Sequence, residues 1–343
     1  MADMTKSVRL TDIAQKLGVS VVTVSKALSG KKGVSEEMRA KIRALADEMG
    51  YTPVHSPKEE AERAYTVGVM TFERYFSQFA SFYWKMYQEL TTQAIRKNCF
   101  SLLEVVSISD EEGLVCPKLS EEERVDGIIV IGKPGREYLK MLYRSQKAPM
   151  VFLDFYDDEL IVDSVISEGF LGTYRLTEHL IQRGHEKIAF VGTLMYTESI
   201  TDRYFGYCKA LMERGIERRP EWLLDDRDFS DGRMGLKYKV ALSENDMPTA
   251  FVCNNDVTAY ALIRQLKESG YRVPEDISVV GYDDYLYAEF GDSKITTYAV
   301  DMEKMTQAAL AILAKRIENC ETEPKVYVIS GRLIERKTVQ ELN

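Results

Sequence analysis

The sequence predicts an α/β protein with an amino-terminal three-helix helix-turn-helix and a larger, two-lobed α/β domain built on parallel sheets. Three observations predict it. Two short apolar-periodic segments meet at Gly18 and a third follows closely, which is helix-turn-helix grammar. From Tyr65 onward, short β-rich runs alternate with amphipathic helices, as repeated βα units require. With 343 residues and 45% hydrophobic content, the chain exceeds one ordinary core, and about 270 residues of βα repeats exceed one sheet.

The first helix is expected over Leu10–Leu17, with Thr11 as its candidate N-cap and Ile13, Ala14 and Leu17 on one face. Ser20 is placed to cap a second helix over Val21–Leu28, whose Val24, Ala27 and Leu28 point inward. A third is expected over Ser35–Met49, where Glu36 and Glu37 suit the first turn and Ile42, Leu45, Ala46 and Met49 form the stripe.

The outward face of the second helix carries the functional signal. Residues opening a recognition helix reach base edges, while small hydroxyl residues meet phosphates. Val21, Val22 and Lys26 take the base-facing positions. Two exposed valines waste apolar surface in water, but they can pack on thymine methyl groups, and Lys26 can donate to guanine. Ser20, Thr23 and Ser25 are placed for the backbone, and Thr11 joins the DNA-facing set.

A net charge of −9 opposes phosphate binding until its distribution is considered. Residues 1–53 carry nine Lys/Arg against six Asp/Glu, so this segment is +3 and the remainder −12. A basic head on an acidic body suits a reader of double-stranded DNA. The start MADMTKSVRL has neither a signal-peptide core nor a membrane span, which predicts a cytoplasmic protein without membrane contact.

In the larger domain, strands are expected over Thr66–Thr71, Ser101–Val106, Gly127–Ile131, Met150–Leu153, Lys187–Val191, Thr249–Val252 and Ile277–Val280. Helices are expected over Phe82–Lys97, Gly169–Arg183, Ile200–Arg214 and Asp256–Ser269. Five dispersed cysteines and three histidines offer no metal or disulfide spacing. Neither GxGxxG, GxxxxGK[ST] nor GxSxG occurs in context, so no cofactor and no catalytic residue is expected. Asp126 and Asp163 read as turn or cap residues. Aromatic residues crowd the stretch after the first strand, from Phe72 through Tyr75, Phe82 and Tyr83 to Trp84. A ring there can stack on a sugar's C–H face, and Phe82 is the candidate.

The stretch VRLTDIAQKLGVSVVTVSKALSGKKGVSEEMRAKIRALADEMGYTP closely resembles the DNA-binding domain of the lactose-repressor (LacI/GalR) family. The likeness continues through HLIQRGHEKIAFVG, TDRYFGYCKAL, PTAFVCNND, VPEDISVVGYDD and ITTYAVDMEKM, and so covers nearly the whole chain. It implies periplasmic-binding-protein-like lobes and a homodimeric repressor of carbohydrate-utilisation genes. Such a repressor binds a pseudo-palindromic operator under control of a small effector, a sugar. By the same likeness Arg203, Asn255 and Asp283 hold the effector, with Asp154 a weaker match. Domain bounds follow: 1–53 for the helix-turn-helix, 54–65 for a hinge and 66–343 for the effector and dimerisation domain. The first lobe takes 66–164 and 296–323, the second 165–295 and 324–338. A chain running only a few residues past Arg336 has no heptad extension, which points to a dimer.

Two departures stand out. The family's hinge helix drives a leucine into the minor groove, whereas here that position is Glu60, within a segment that Ser56, Pro57 and Glu59 could still cap as a helix. A hinge that does not intercalate is expected. The usual polar ligand of the first strand is unmatched in MTFERYF, where Glu73 and Arg74 are the only substitutes. Asp256 and Asp284 read as helix caps and His185 as a turn residue. Three other readings are open: a non-sugar effector such as a purine or a phosphoprotein, a solute-binding protein without DNA function, and a sugar-processing enzyme.

Overall fold

The computed structural model describes residues 10–28, 33–49, 51, 64–75, 81–121, 124–227, 247–285, 294–319 and 322–342. Contacts divide the chain into two units, 1–64 and 65–343. The expected hinge residues 54–63, Glu60 among them, lie outside the described residues.

The small unit holds α1 (Leu10–Leu17), α2 (Val21–Leu28) and α3 (Glu36–Glu48). Ile13, Ala14, Val24, Ala27, Ile42 and Ala46 form its core. Gly18, at φ +64°, lets the chain reverse after α1, and the Val19 N–H donates back to Ala14 O at 3.1 Å. Arg39 of α3 is buried and donates to Ala27 O at 3.2 Å, satisfying a carbonyl at the end of α2. Thr11 does not cap α1: the helix already includes Leu10, which puts Thr11 on its exposed first turn.

The large unit opens with β1 (Thr66–Phe72), α4 (Phe82–Arg96), β2 (Phe100–Val106), α5 (Ile108–Glu112) and α6 (Lys118–Glu121). β3 (Gly127–Ile131), α7 (Arg136–Ser145), β4 (Met150–Leu153) and β5 (Asp163–Ser167) complete the first pass. The chain then builds α8 (Gly169–Ile181), β6 (Ile188–Val191), α9 (Glu198–Glu213), β7 (Leu223–Leu224), β8 (Ala250–Cys253) and α10 (Asp256–Glu268). Last come β9 (Ser278–Asp283), β10 (Thr296–Ala299), α11 (Met302–Ile317), β11 (Val326–Ile329) and β12 (Arg332–Ile334).

Two six-stranded sheets result, β11-β5-β4-β3-β1-β2 and β12-β10-β9-β8-β6-β7. All pairings are parallel except β10 with β12. The central strands of each sheet are buried on both faces, so they read as continuous apolar runs such as Gly127–Ile131 rather than alternating ones.

The lobe bounds expected from sequence need correction. β10 pairs with β9 and belongs to the second lobe, and β11 pairs with β5 and belongs to the first. The chain therefore crosses between lobes at Glu168, at Val300–Asp301 and at Ser330–Gly331. Tyr65 also belongs to the lobe rather than the hinge, since it is buried and its hydroxyl donates to Glu318 at 2.8 Å. Asp163 is spoken for structurally: it pairs with Arg316 at 2.6 Å and accepts from Lys325 N. Asp126 accepts from Thr66 N at 2.8 Å, and His185 bridges Thr249 and Gln340 O. No described helix is long and apolar enough to cross a membrane, and no three described metal-ligand side chains cluster.

Candidate functional site

On the small unit, the second helix buries Val24 and Ala27 but holds two further valines outward, where a folded core would not leave them. Val22 is 62% and Val21 41% exposed at the amino-terminal turn, and Lys26 is exposed one turn further on. The Ser20 hydroxyl caps the helix, accepting from Thr23 N at 3.1 Å, and it shares a 2.8 Å hydrogen bond with the Thr23 hydroxyl. Both oxygens thus sit at a helix amino terminus, where the dipole favours an anion. Thr11 and Ser25 are exposed as well.

In the large unit, the carboxyl ends of parallel strands carry the second set of candidate residues. Asp154 follows β4 with φ +68°, and Asp283 ends β9 with φ +95°. Both are left-handed backbone for a side-chain-bearing residue, a conformation costing on the order of 1–3 kcal/mol and concentrated at functional sites. Arg203, one turn into α9 and buried, donates to Asn254 O at 2.7 Å, and its guanidinium lies 3.9 Å over the Tyr282 ring. Tyr83 of α4 shares a hydrogen bond with the Asp154 carboxyl. Phe82 packs edge-on to Tyr285 from the other lobe, centroids 6.0 Å apart. The structure therefore brings Asp154, Arg203 and Asp283 together where the two lobes meet, with Phe82 packed on Tyr285 two residues past Asp283.

Burial dominates the electrostatics there. It lifts Asp154 to about 6, against the opposing pull of Arg203 and the Tyr83 hydrogen bond. Asp283 is raised too, first by burial, although Arg203 and the N–H groups of Tyr285 and Asp256 favour its charge. Asp256 is raised well above the usual carboxylate range by burial and by Asp283 beside it. Asp283 thus adds to the burial that favours the protonated form of Asp256.

Asn255 is the cap of α10. Its Oδ1 caps α10 by accepting from Thr258 N at 2.8 Å, and its Nδ2 donates to Asn254 Oδ1 at 2.8 Å. The cap is therefore Asn255 and not Asp256, which is the buried first residue of the helix. Asp284 pairs with Arg336 at 2.7 Å instead of capping. Glu73 accepts from Ile108 N, and Arg74 pairs with Glu111, so both are committed to holding α5.

Several residues around the cleft escaped the sequence reading. Buried Asp226 holds Arg227 in a two-pronged pair at 3.1 and 2.8 Å and accepts from Thr193 N and Asn254 Nδ2. Burial opposes the Asp226 charge, but these partners hold it down at about 2. Arg227 in turn faces the Tyr196 ring at 4.8 Å. Lys133 of the first lobe reaches Glu198 of the second at 2.5 Å and Asp157 of its own at 3.1 Å. Tyr83 lay inside the aromatic stretch, but its pairing with Asp154 needs the folded lobe. Asp226 and Arg227 are neighbours in sequence, but their other partners, Thr193, Asn254 and Tyr196, lie roughly thirty positions away and leave no local signal.

Chemically, the cleft offers aromatic walls, a fixed guanidinium and carboxyls able to donate or accept. Such a set can share hydrogen bonds with vicinal hydroxyls.

The description "Bacterial regulatory proteins, lacI family" matches residues 9–54, and "Periplasmic binding protein-like domain" matches 177–339. The HTH-type transcriptional repressor PurR of Pectobacterium carotovorum subsp. carotovorum is 30% identical over 340 residues, 96% of each chain. Its counterpart in Photobacterium profundum is 28% identical over 341 residues, 97% of this chain and 99% of that one. Among solved structures, the transcriptional regulator CelR–cellobiose complex aligns with a TM-score of 0.70 at 25% identity, covering 96% of this chain and 99% of that one. The lac repressor dimer bound to operator and the anti-inducer ONPF aligns at 0.64 and 25% identity, covering 98% and 100%. With relatives matched from end to end, the chain belongs to the lacI family of bacterial regulatory proteins and is a DNA-binding transcriptional repressor.

Proposed function

We propose that this repressor acts in the cytoplasm as a homodimer on a pseudo-palindromic operator of carbohydrate-utilisation genes, with a sugar in the interlobe cleft setting its affinity. Val21, Val22 and Lys26 read base edges, while Thr11, Ser20, Thr23 and Ser25 meet phosphates. The observation that carries the effector half is the convergence of Asp154, Arg203 and Asp283 beside Tyr83 in an aromatic-walled cleft. Arg203 offers a planar donor fork, and the Asp154 and Asp283 carboxyl oxygens accept, which matches ring hydroxyls. Phe82 supplies a stacking face, and Asn255, bound into its cap, contributes through the Asn254–Asn255 amide pair. An effector preferring one lobe arrangement changes operator affinity by linkage, typically by 1–3 kcal/mol. The CelR–cellobiose complex supports the sugar reading.

A second reading is favoured by the PurR relatives: a purine base stacked among the same rings. The experiment is an operator-binding titration of the full chain against mono- and oligosaccharides and purine bases, repeated with Asp283→Ala. A saccharide should shift operator affinity, and Asp283→Ala should abolish that shift while leaving effector-free operator affinity within about twofold. A shift by a purine base with none by any saccharide would replace the first reading with the second.

A further inference from the structure

The chain passes between the lobes at three places, and one side chain bonds to two of them from the strand that leads into the other. Tyr298 is the penultimate residue of β10, two residues before the second crossing. Its hydroxyl donates to Glu168 Oε2 at 3.2 Å, in the first crossing, and accepts from Gly331 N at 3.1 Å, in the third. Arg175 Nη1 also donates to it at 3.4 Å. The first and third crossings are further joined by Glu168 N donating to Ile329 O at 3.1 Å.

The ring of the same residue lies behind Arg203, with Tyr282 between them. It stacks on Tyr282 with centroids 5.5 Å apart and planes 27° apart, and the Tyr282 ring carries the Arg203 guanidinium at 3.9 Å. Both rings press on α8 at Gly172, where an added Cβ would come within 2.7 Å of Tyr298 and 2.9 Å of Tyr282. Close-packed rings transmit displacement because they have no room to absorb it. The polar end of Tyr298 sits on the crossings while its apolar body backs the candidate effector residue.

We propose that Tyr298 is a positioning residue of the cleft: its ring fixes Tyr282 beneath Arg203, and its hydroxyl fastens the crossings about which the lobes turn. A ligand that engages Arg203 then acts directly on the hinge. This rests on the cleft taking an effector, but the fastening itself needs none and is tested without one.

The test is hydrogen–deuterium exchange on the ligand-free full chain, comparing wild type with Tyr298→Phe, which keeps the stacked ring and removes only the hydroxyl. Amides in peptides spanning 166–172 and 328–333 should exchange about tenfold faster, while those of β8 and α10 keep their wild-type protection. Unchanged protection at both crossings, or a uniform rise across both sheets, would overturn the assignment. A second arm uses any saccharide active in the operator titration. Tyr298→Phe should hold its affinity for that sugar within about twofold yet lose about fivefold of the sugar's effect on operator binding. A full wild-type response in this arm would overturn the relay. Should no saccharide act, the effector reading fails while the exchange result still decides the hinge.

Discussion

Asp154 has a proton affinity that its neighbours alone would not give it. Burial raises its carboxyl from 3.8 to about 6, so the folded chain holds this proton more tightly than the unfolded one. The resulting stabilisation is complete below pH 3.8 and is lost as pH rises through 6. Asp226 has the opposite sign: held at about 2, it contributes above pH 3.8 and loses that contribution as pH falls toward 2. Urea unfolding should show wild type losing on the order of 2 kcal/mol relative to Asp154→Asn between pH 4 and pH 7. Parallel pH profiles for the two proteins would contradict the protonated reading of this site. On the DNA side, Lys26→Ala should cost about 1–3 kcal/mol at one operator position, and Thr23→Ala should weaken all sequences alike. Operator-variant panels check this, and equal losses everywhere would undo the division into base reader and phosphate anchor. Arg203, Asp154 and Asp283 were picked out because R-x-x-G-Y, the β4 end and GYDD are local motifs, and the fold brings the three together. The role of Asn255 was not, since NND offers three candidate caps and only the register of β8 with α10 selects among them.

Elements meet in this fold through glycines at close approaches. α8 and α9 touch at Gly206, where a Cβ would lie 2.0 Å from the Phe170 carbonyl oxygen, a backbone atom that cannot swing aside. Gly206→Ala should therefore cost about 1–3 kcal/mol or more by forcing the helices apart, read as a lower urea midpoint. Wild-type stability in that variant would mean the helices part freely. Asn255→Ala should cost about 1 kcal/mol through the lost cap of α10. The long helices and central strands were readable from apolar periodicity, and Met150–Leu153 falls where its apolar run predicts. β11 and β12 were not, because VYVI is largely exposed and its strand identity comes from pairing with β5, across more than 150 residues.

At the scale of the whole molecule, charge is unevenly spread, with +3 in residues 1–53 and −12 in the rest. A body of that sign repels phosphates, so binding to DNA is concentrated on the small unit and should weaken steeply with added salt. The two-lobed architecture followed from length and βα alternation. The distribution of strands between lobes did not, since β10 and β11 each lie across a crossing from where chain order places them. The claim on which the rest depends is that α2 reads sequence with Val21, Val22 and Lys26. Selection of bound duplexes from a random library by the full chain tests it most directly. A two-fold symmetric consensus should emerge from wild type and lose preference at one position per half-site with Lys26→Ala. Recovery of no preferred sequence by wild type, or of an unaltered consensus by the variant, would contradict the account.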